Sequence, residues 1–118
     1  MPINEEDLAL LYDIYECCVN ITKVTKSITY YQYENDFIFK STIERQLEII
    51  GQASKKISAE TQEKLPNIPW KKMIGLRNIL AHDYGKILND KIWLTSQQSI
   101  PELLAELLDI DELKKIIE

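Results

Sequence analysis

Apolar residues recur every three or four positions along most of this chain of 118 residues, which is the spacing of one face of an α-helix. Only three glycines and four prolines interrupt the pattern, whereas a sheet would need more alternation and more turn residues. A chain of this length suffices for one compact domain that buries roughly two thirds of its unfolded surface. The sequence therefore predicts a single all-α domain over residues 1–118, folded as an up-and-down bundle of four to five helices.

The first helix is predicted to start after Asn4, a preferred N-cap residue, and its first turn is acidic, which suits the helix dipole. Two apolar stripes follow at helical spacing, one through Leu11 and Tyr15 and the other through Ile14 and Ile21. Two stripes indicate that this helix is covered on two sides. One side would be the core of the bundle, and the other suggests a partner.

A second long helix is predicted from Asp36 to about Ser58. Gly51 lies inside it and costs about 1 kcal/mol relative to alanine, unless another element must approach closely there. The preceding residues 27–35 are rich in tyrosine and β-branched side chains, and their periodicity does not decide between a helix and an extended conformation.

Proline and glycine mark the remaining boundaries. Pro69 is well placed to open a third helix at the next residue, and Gly85 is predicted to close that helix. Asn89 and the aspartate after it offer a cap for a fourth helix, which Pro101 must kink or divide. A short last helix is predicted over residues 111–117.

The most informative segment for function is RNILAHDY, in which the only histidine, His82, lies five residues after Arg77 and two before Tyr84. An arginine beside an imidazole suits phosphodiester cleavage, because the guanidinium neutralises the phosphate and the imidazole transfers protons at neutral pH. Structural interpretations stay open, since a histidine near a helix end interacts with the dipole and an exposed arginine often forms an ion pair. Arg77 and His82 are the candidate catalytic residues.

Helical geometry assigns these side chains different directions. Asn78 and His82 are an i, i+4 pair, so the amide can hydrogen-bond the imidazole and hold its tautomer. Arg77 and Tyr84 share a direction on a continuous helix, whereas Arg77 and His82 are about 140° apart and do not face one phosphate. Either the helix loosens near its end, or the site is assembled from two chains.

A second chain also has a chemical motive. Cleavage of RNA by its own 2′-hydroxyl needs a base on that hydroxyl and an acid on the leaving 5′-oxygen, and one chain holds one histidine. A symmetric dimer supplies two histidines, although a water, a lysine or a tyrosine can fill one of the roles. The sequence thus favours a homodimer without requiring it.

The net charge of −5 argues at first against a nucleic-acid partner, but the charges are unevenly distributed. Residues 1–39 hold two basic and seven acidic side chains, residues 92–118 hold two and six, and residues 40–91 hold ten and six. The RNILAHDY segment thus lies in the only basic third of the chain. An ordinary solvated surface explains its lysines equally well. The candidate RNA-binding residues are Lys71, Lys72 and Lys86.

The two cysteines, Cys17 and Cys18, are adjacent and point roughly 100° apart on a helix, so we expect buried thiols rather than a disulfide. One histidine and two neighbouring cysteines make no recognisable zinc spacing, and neither a metal nor a cofactor is expected. The acidic N-terminus differs from a signal peptide, and no apolar run approaches the length of a membrane span. We therefore expect a cytoplasmic protein.

Three runs of residues resemble the HepT-like branch of the HEPN superfamily. They are LEIIGQA at residues 47–53, PNIPW at residues 66–70 and GLRNILAHDY at residues 75–84, with a looser match at Trp93 and Leu103. The resemblance implies a HEPN-like helical homodimer and a metal-independent endoribonuclease whose site lies in the dimer cleft.

The resemblance also implies a toxin of a toxin–antitoxin pair. The Arg-x4-His motif of this family falls on Arg77 and His82, with Asn78 as the polar residue after the arginine. The antitoxin partner would be a minimal nucleotidyltransferase that adenylylates Tyr84, and the added phosphodiester would capture the charge of Arg77 and block the cleft.

Two other interpretations of the same segment are distinguishable. A noncatalytic subunit would present nucleotide or polynucleotide to a nucleotidyltransferase and would leave RNA intact. A purely structural role would require His82 to be buried and bonded only to backbone.

Overall fold

The computed structural model describes residues 2–118 and is all-helical, as the sequence predicts. Within this range it contains no strand. Four long helical units and a short last helix account for the predicted bundle, and two short helices lie in the connections. The helices are α1 (Glu5–Lys26), α2 (Tyr30–Asn35), α3 (Phe37–Lys56), α4 (Ala59–Lys64), α5 (Trp70–His82), α6 (Gly85–Leu94), a π-helical turn (Thr95–Ser99), α7 (Ile100–Leu108) and α8 (Asp111–Ile117).

The start of α1 agrees with the prediction, because the Asn4 side chain accepts a hydrogen bond from the Asp7 backbone N–H at 2.8 Å. Leu11, Ile14 and Ile21, which represent both apolar stripes, are fully buried. Helix α1 packs against α3 and against α7. The chain's own helices therefore cover both stripes, and the partner suggested for the second side is not needed there.

Residues 27–35, whose conformation the sequence left open, end in helix α2. Thr29 and Gln32 form a capping box, in which each side chain bonds the backbone N–H of the other residue. Asp36 separates α2 from α3 and caps α3 by accepting from the N–H of Ile38 at 2.8 Å. The caps at Thr29 and Asp36 thus define a short helix in a segment whose conformation periodicity alone does not resolve.

Helices α1 and α3 are antiparallel. The Asn20 amide donates to the Gln46 side chain at 3.2 Å, and the Asp7 carboxylate accepts from the Ser58 backbone N–H at 3.1 Å. Pairing of an early residue of α1 with a residue just beyond α3, and of a later residue with the middle of α3, requires opposite directions. This pair forms the frame on which the other helices pack.

The chain between α3 and α5 contains a helix that the sequence analysis missed. Ser58 caps α4 by accepting from the Thr61 N–H at 3.3 Å. Helix α5 begins directly after Pro69, as predicted, and the Trp70 indole donates to the Leu65 carbonyl at 3.0 Å. That bond ties the first residue of α5 to the preceding loop.

Two boundary predictions around α6 are wrong. Gly85 does not close α5, since it is the first residue of α6, and Asn89 lies inside α6 rather than capping a later helix. Pro101 does divide the predicted fourth helix, because a π-helical turn separates α6 from α7 just before this proline. Proline lacks an N–H and its ring clashes with the carbonyl four residues earlier, and the wider turn relieves that clash.

One hydrophobic core draws on α1, α2, α3, α5, α6, α7 and α8. No helix in residues 2–118 is long and apolar enough to cross a membrane. The fully buried aliphatic residues of the core are Leu11, Ile14, Ile21, Ile43, Leu47, Ile50, Ile92, Ile100, Leu107 and Leu113.

Candidate functional site

Helix α5 carries three of the four polar residues singled out by the sequence. Its inward side buries Met73 against the core, while Arg77, Asn78 and His82 are exposed. The helix stays regular to its end, where the Asp83 N–H donates to the carbonyl four residues earlier at 3.0 Å. Arg77 and His82 therefore remain about 140° apart, and loosening of the helix does not bring them together.

Tyr84, the fourth residue, lies outside α5. Asp83 and Tyr84 are both extended, with Tyr84 at φ −155° and ψ 174°. The next residue, Gly85, has a φ of 63°, a left-handed conformation that glycine adopts without a Cβ clash. The expected alignment of Tyr84 with Arg77 on one helix face is thus wrong. The Tyr84 side chain is 81% exposed on the two-residue connection between α5 and α6.

The polar groups of Arg77, Asn78 and His82 have no side-chain partners in the described part of the chain. Over residues 2–118, no hydrogen bond joins Asn78 to His82, and the Arg77 guanidinium has neither a hydrogen bond nor an ion pair. The Arg77 stem instead lies against α3, where its Cγ is 3.2 Å from the position that a Cβ on Gly51 would take. Exposure of His82 also contradicts the condition for a purely structural histidine.

The candidate RNA-binding lysines do not converge on His82. Lys71 and Lys72 are exposed in the first turn of α5, which a rise of about 1.5 Å per residue places roughly 15 Å from the end of the helix. Lys86 lies beyond the connection, where its ammonium pairs with Asp90 at 3.1 Å. The structure thus spreads these charges along the surface of α5 and α6.

Asp90 also accepts a hydrogen bond from the Tyr30 hydroxyl, which joins α2 to α6. This bond and the Lys86 ammonium hold the pKa of the Asp90 carboxyl below its usual value. The same bond to a carboxylate raises the pKa of Tyr30 to about 12. Lys86 is therefore partly neutralised by its own helix.

An apolar groove of about 610 Å³ lies between α5 and the segment from α6 to α7. Leu76 and Ile79 line one wall, and Leu94 and Leu103 line the other. Lys72 and Lys91 are at its margin, whereas Arg77 and His82 are not part of its lining. This apolar groove is thus beside the candidate site on α5 and is not the site itself.

Two contacts near the site were not predicted. The Asp83 carboxylate pairs with the Lys91 ammonium at 2.6 Å, across the connection between α5 and α6. Gly51 is costly in a helix unless another element approaches closely there, and the structure shows that the Met73 carbonyl and the Arg77 stem do so. Sequence periodicity does not indicate either contact, because each contact joins residues from two different elements of the fold. Among residues 2–118, no group of three or more histidine, cysteine and acidic residues is arranged to hold a metal ion.

A family model and several similar proteins all point to ribonucleases. The family model described as "Ribonuclease HepT-like" matches residues 14–110. "Putative RNase MJ1380" from Methanocaldococcus jannaschii is 41% identical over 98 residues, which cover 83% of this chain and 90% of that protein. "Putative RNase TTE0752" from Caldanaerobacter subterraneus is 32% identical over 105 residues, covering 89% and 94%.

"Probable ribonuclease HepT" from Thermococcus cleftensis is 34% identical over 93 residues, covering 79% of this chain and 84% of that protein. No solved structure matches the chain at a significant level.

Proposed function

Because the chain belongs to the family of HepT-like ribonucleases, we propose that it is an endoribonuclease in which Arg77 and His82 act on the RNA phosphodiester. The observation that carries the proposal is that both side chains are exposed on α5, and that the Arg77 guanidinium has no polar partner among residues 2–118. A free guanidinium can bind a phosphate through two parallel hydrogen bonds. Residues 1–118 would form one domain.

The proposed reaction uses the 2′-hydroxyl of the RNA as nucleophile. Its oxygen forms a bond to the adjacent phosphorus while a base removes its proton, and the bond to the 5′-oxygen breaks as an acid protonates that oxygen. His82 supplies proton transfer and Arg77 stabilises the charge on the phosphate. No metal enters this scheme, and cleavage should persist in EDTA. Asn78 would orient His82 once RNA is bound, and Lys71, Lys72 and Lys86 would contact the RNA backbone outside the cleft.

We propose a homodimer as the active unit. Arg77 and His82 point about 140° apart on one helix, so a single α5 does not direct both side chains at one phosphate. Two α5 helices in a symmetric dimer can supply an arginine from one chain and a histidine from the other. The apolar groove beside α5 supports this proposal, as does Leu94 at its edge, which is 55% exposed. Apolar surface next to the exposed polar residues suits burial against a second copy.

The direct test is RNA cleavage by the purified protein. His82→Ala should lower the rate by about 10²- to 10⁴-fold, the usual contribution of general acid–base catalysis. Arg77→Ala should lower it comparably, whereas Arg45→Ala, which removes the only other arginine, should not. RNA with 2′-O-methyl groups should resist cleavage, and the products should end in a 2′,3′-cyclic phosphate. Unchanged cleavage by both α5 variants would refute the assignment.

We further propose that the protein is the toxin of a toxin–antitoxin pair whose partner is a minimal nucleotidyltransferase. Exposure of the Tyr84 side chain supports modification at that position. The phenol oxygen would form a bond to the α-phosphorus of ATP, pyrophosphate would leave, and the phenol proton would pass to solvent. The added adenylate would obstruct RNA at the adjacent His82. Expression of the unmodified chain alone should arrest growth, and His82→Ala should relieve the arrest.

A further inference from the structure

Helix α5 lies very close to α3 at Gly51. A Cβ built on this buried glycine would lie 3.1 Å from the carbonyl oxygen of Met73 and 3.2 Å from Cγ of Arg77. Both distances are shorter than ordinary van der Waals contact, and the Met73 oxygen is backbone that moves only if α5 moves. The missing side chain of Gly51 is therefore what allows α5 to lie this close to α3.

Gly75, on α5 itself, is a contrasting case. A Cβ at Gly75 would have no neighbour within 4 Å. Both glycines are inside helices and carry negative φ, so the backbone conformation does not explain either of them. Only Gly51 is required by a close contact, and the side chain in that contact is Arg77.

The Arg77 side chain meets α3 through its stem and not through its charged head. Its guanidinium makes no hydrogen bond or ion pair within residues 2–118, and the residue is exposed. Its Cγ and Cδ, at 3.2 Å and 3.9 Å from the Cβ position of Gly51, are the atoms that meet α3. When the aliphatic stem of an arginine packs against a neighbouring helix, that packing limits its rotamers and so determines where the guanidinium lies. A long side chain without such packing samples many rotamers.

We infer that Gly51 is a positioning residue for RNA cleavage, which acts by seating the stem of Arg77 against α3. The inference rests on the proposed function, since it assumes that Arg77 binds the RNA phosphate. A methyl group at Gly51 would push the Cγ of Arg77 outward by a few tenths of an ångström. The guanidinium, at the far end of the side chain, would be displaced by more than that. The phosphate would then meet a guanidinium in the wrong place.

The test is a double-mutant cycle on Gly51→Ala and Arg77→Ala, read by cleavage of RNA and by affinity for an uncleavable 2′-O-methyl RNA. Gly51→Ala should weaken both by about tenfold, because small misplacements of a binding group are costly. In the Arg77→Ala background, Gly51→Ala should cause no further loss, because its effect passes through Arg77. Gly75→Ala is the matched control and should leave both values unchanged.

Three outcomes are informative. If Arg77→Ala impairs cleavage but Gly51→Ala has no effect, or adds its full effect to Arg77→Ala, the inference fails and the proposed function stands. If Arg77→Ala impairs neither cleavage nor affinity, both fail. Non-additive losses with an unimpaired Gly75→Ala support the inference.

A measurement on the unaltered protein covers the case in which Gly51→Ala does not fold. Carbon-13 relaxation of the Arg77 Cγ methylene should show restricted motion although its guanidinium is unpaired. Motion as free as that of an unrestrained exposed side chain would overturn the inference.

Discussion

The Lys91 ammonium lies 2.6 Å from the Asp83 carboxylate, joining the C-cap residue of α5 to the last turn of α6. Asp83 follows His82 directly, and the ion pair spans the extended connection that contains Tyr84. The Asp83 side chain is 26% exposed and that of Lys91 is 51% exposed. This pair bridges the two ends of the connection between α5 and α6.

The first prediction concerns this ion pair. Asp83→Asn should reduce the free energy of unfolding by less than about 1 kcal/mol, since exposed ion pairs contribute little to stability. The rate of RNA cleavage should fall clearly although the free energy of unfolding changes little, because the connection next to His82 loses its restraint. Lys91→Gln should match Asp83→Asn, and the double variant should be no worse than either. Arg45→Gln, which breaks the exposed pair with Glu48 on α3, is the control. Equal losses in all variants would argue against a specific role.

The second prediction separates catalysis from modification. Tyr84→Phe should retain RNA cleavage, because the phenol oxygen has no partner within the described chain and is not assigned a catalytic role. Coexpression with a minimal nucleotidyltransferase, the proposed antitoxin, should add AMP to the unaltered protein but not to Tyr84→Phe, as measured by intact mass. Tyr31→Phe, at a tyrosine that is 72% exposed, should still be modified. Full modification of Tyr84→Phe would place the target elsewhere.

The third prediction concerns the apolar groove. Leu94→Glu should shift the protein from dimer to monomer, because a charge at the rim of a buried apolar interface loses hydration without a partner. Sedimentation velocity measures this directly. Ile116→Glu, at an apolar residue on α8 that is 48% exposed and outside the groove, should leave the dimer intact. If Leu94→Glu remains dimeric, the groove is not the interface.

The fourth prediction is a pH dependence of stability. Burial raises the pKa of the Asp7 carboxyl, but hydrogen bonds from Ser58, Thr61 and Asn4 together outweigh burial and hold the pKa below its usual value. The Asp7 contribution is thus present above the unfolded pKa of about 3.9 and is lost as pH falls through the lower folded pKa.

Asp7→Asn should therefore lower the free energy of unfolding by about 1–3 kcal/mol at pH 7, the range for a disrupted buried hydrogen bond. The difference from the unaltered protein should shrink below about pH 4 in urea titrations. Asp13→Asn, at an exposed residue of the same helix, is the control. A difference that stays constant down to about pH 2 would show that the carboxylate charge is not responsible.

The fifth prediction concerns the thiols. Burial raises the pKa of Cys17 to about 11 and that of Cys18 to about 12. The folded protein should therefore react very slowly with a thiol reagent at pH 8, and both cysteines should react once urea unfolds it. Rapid labelling of the folded protein would show that α1 opens locally at these residues.

Much of the secondary structure was predictable because its signals are local. The Asn4 cap, the start of α5 after Pro69 and the last helix were all correct. Errors occurred where tertiary contacts override local preference. Asn89 is a good cap by type, yet it is buried inside α6. Helix α4 is only six residues long, too short for a periodic signal.

The sequence by itself determined that the chain is all-helical and that Arg77, Asn78 and His82 share one helix, because helical spacing relates residues at most a few positions apart. Only the tertiary structure decided that α5 ends at His82, that Arg77 rests on Gly51 and that Asp83 pairs with Lys91. These contacts join residues from separate elements, and their geometry depends on how closely whole helices pack. Local periodicity does not encode that distance.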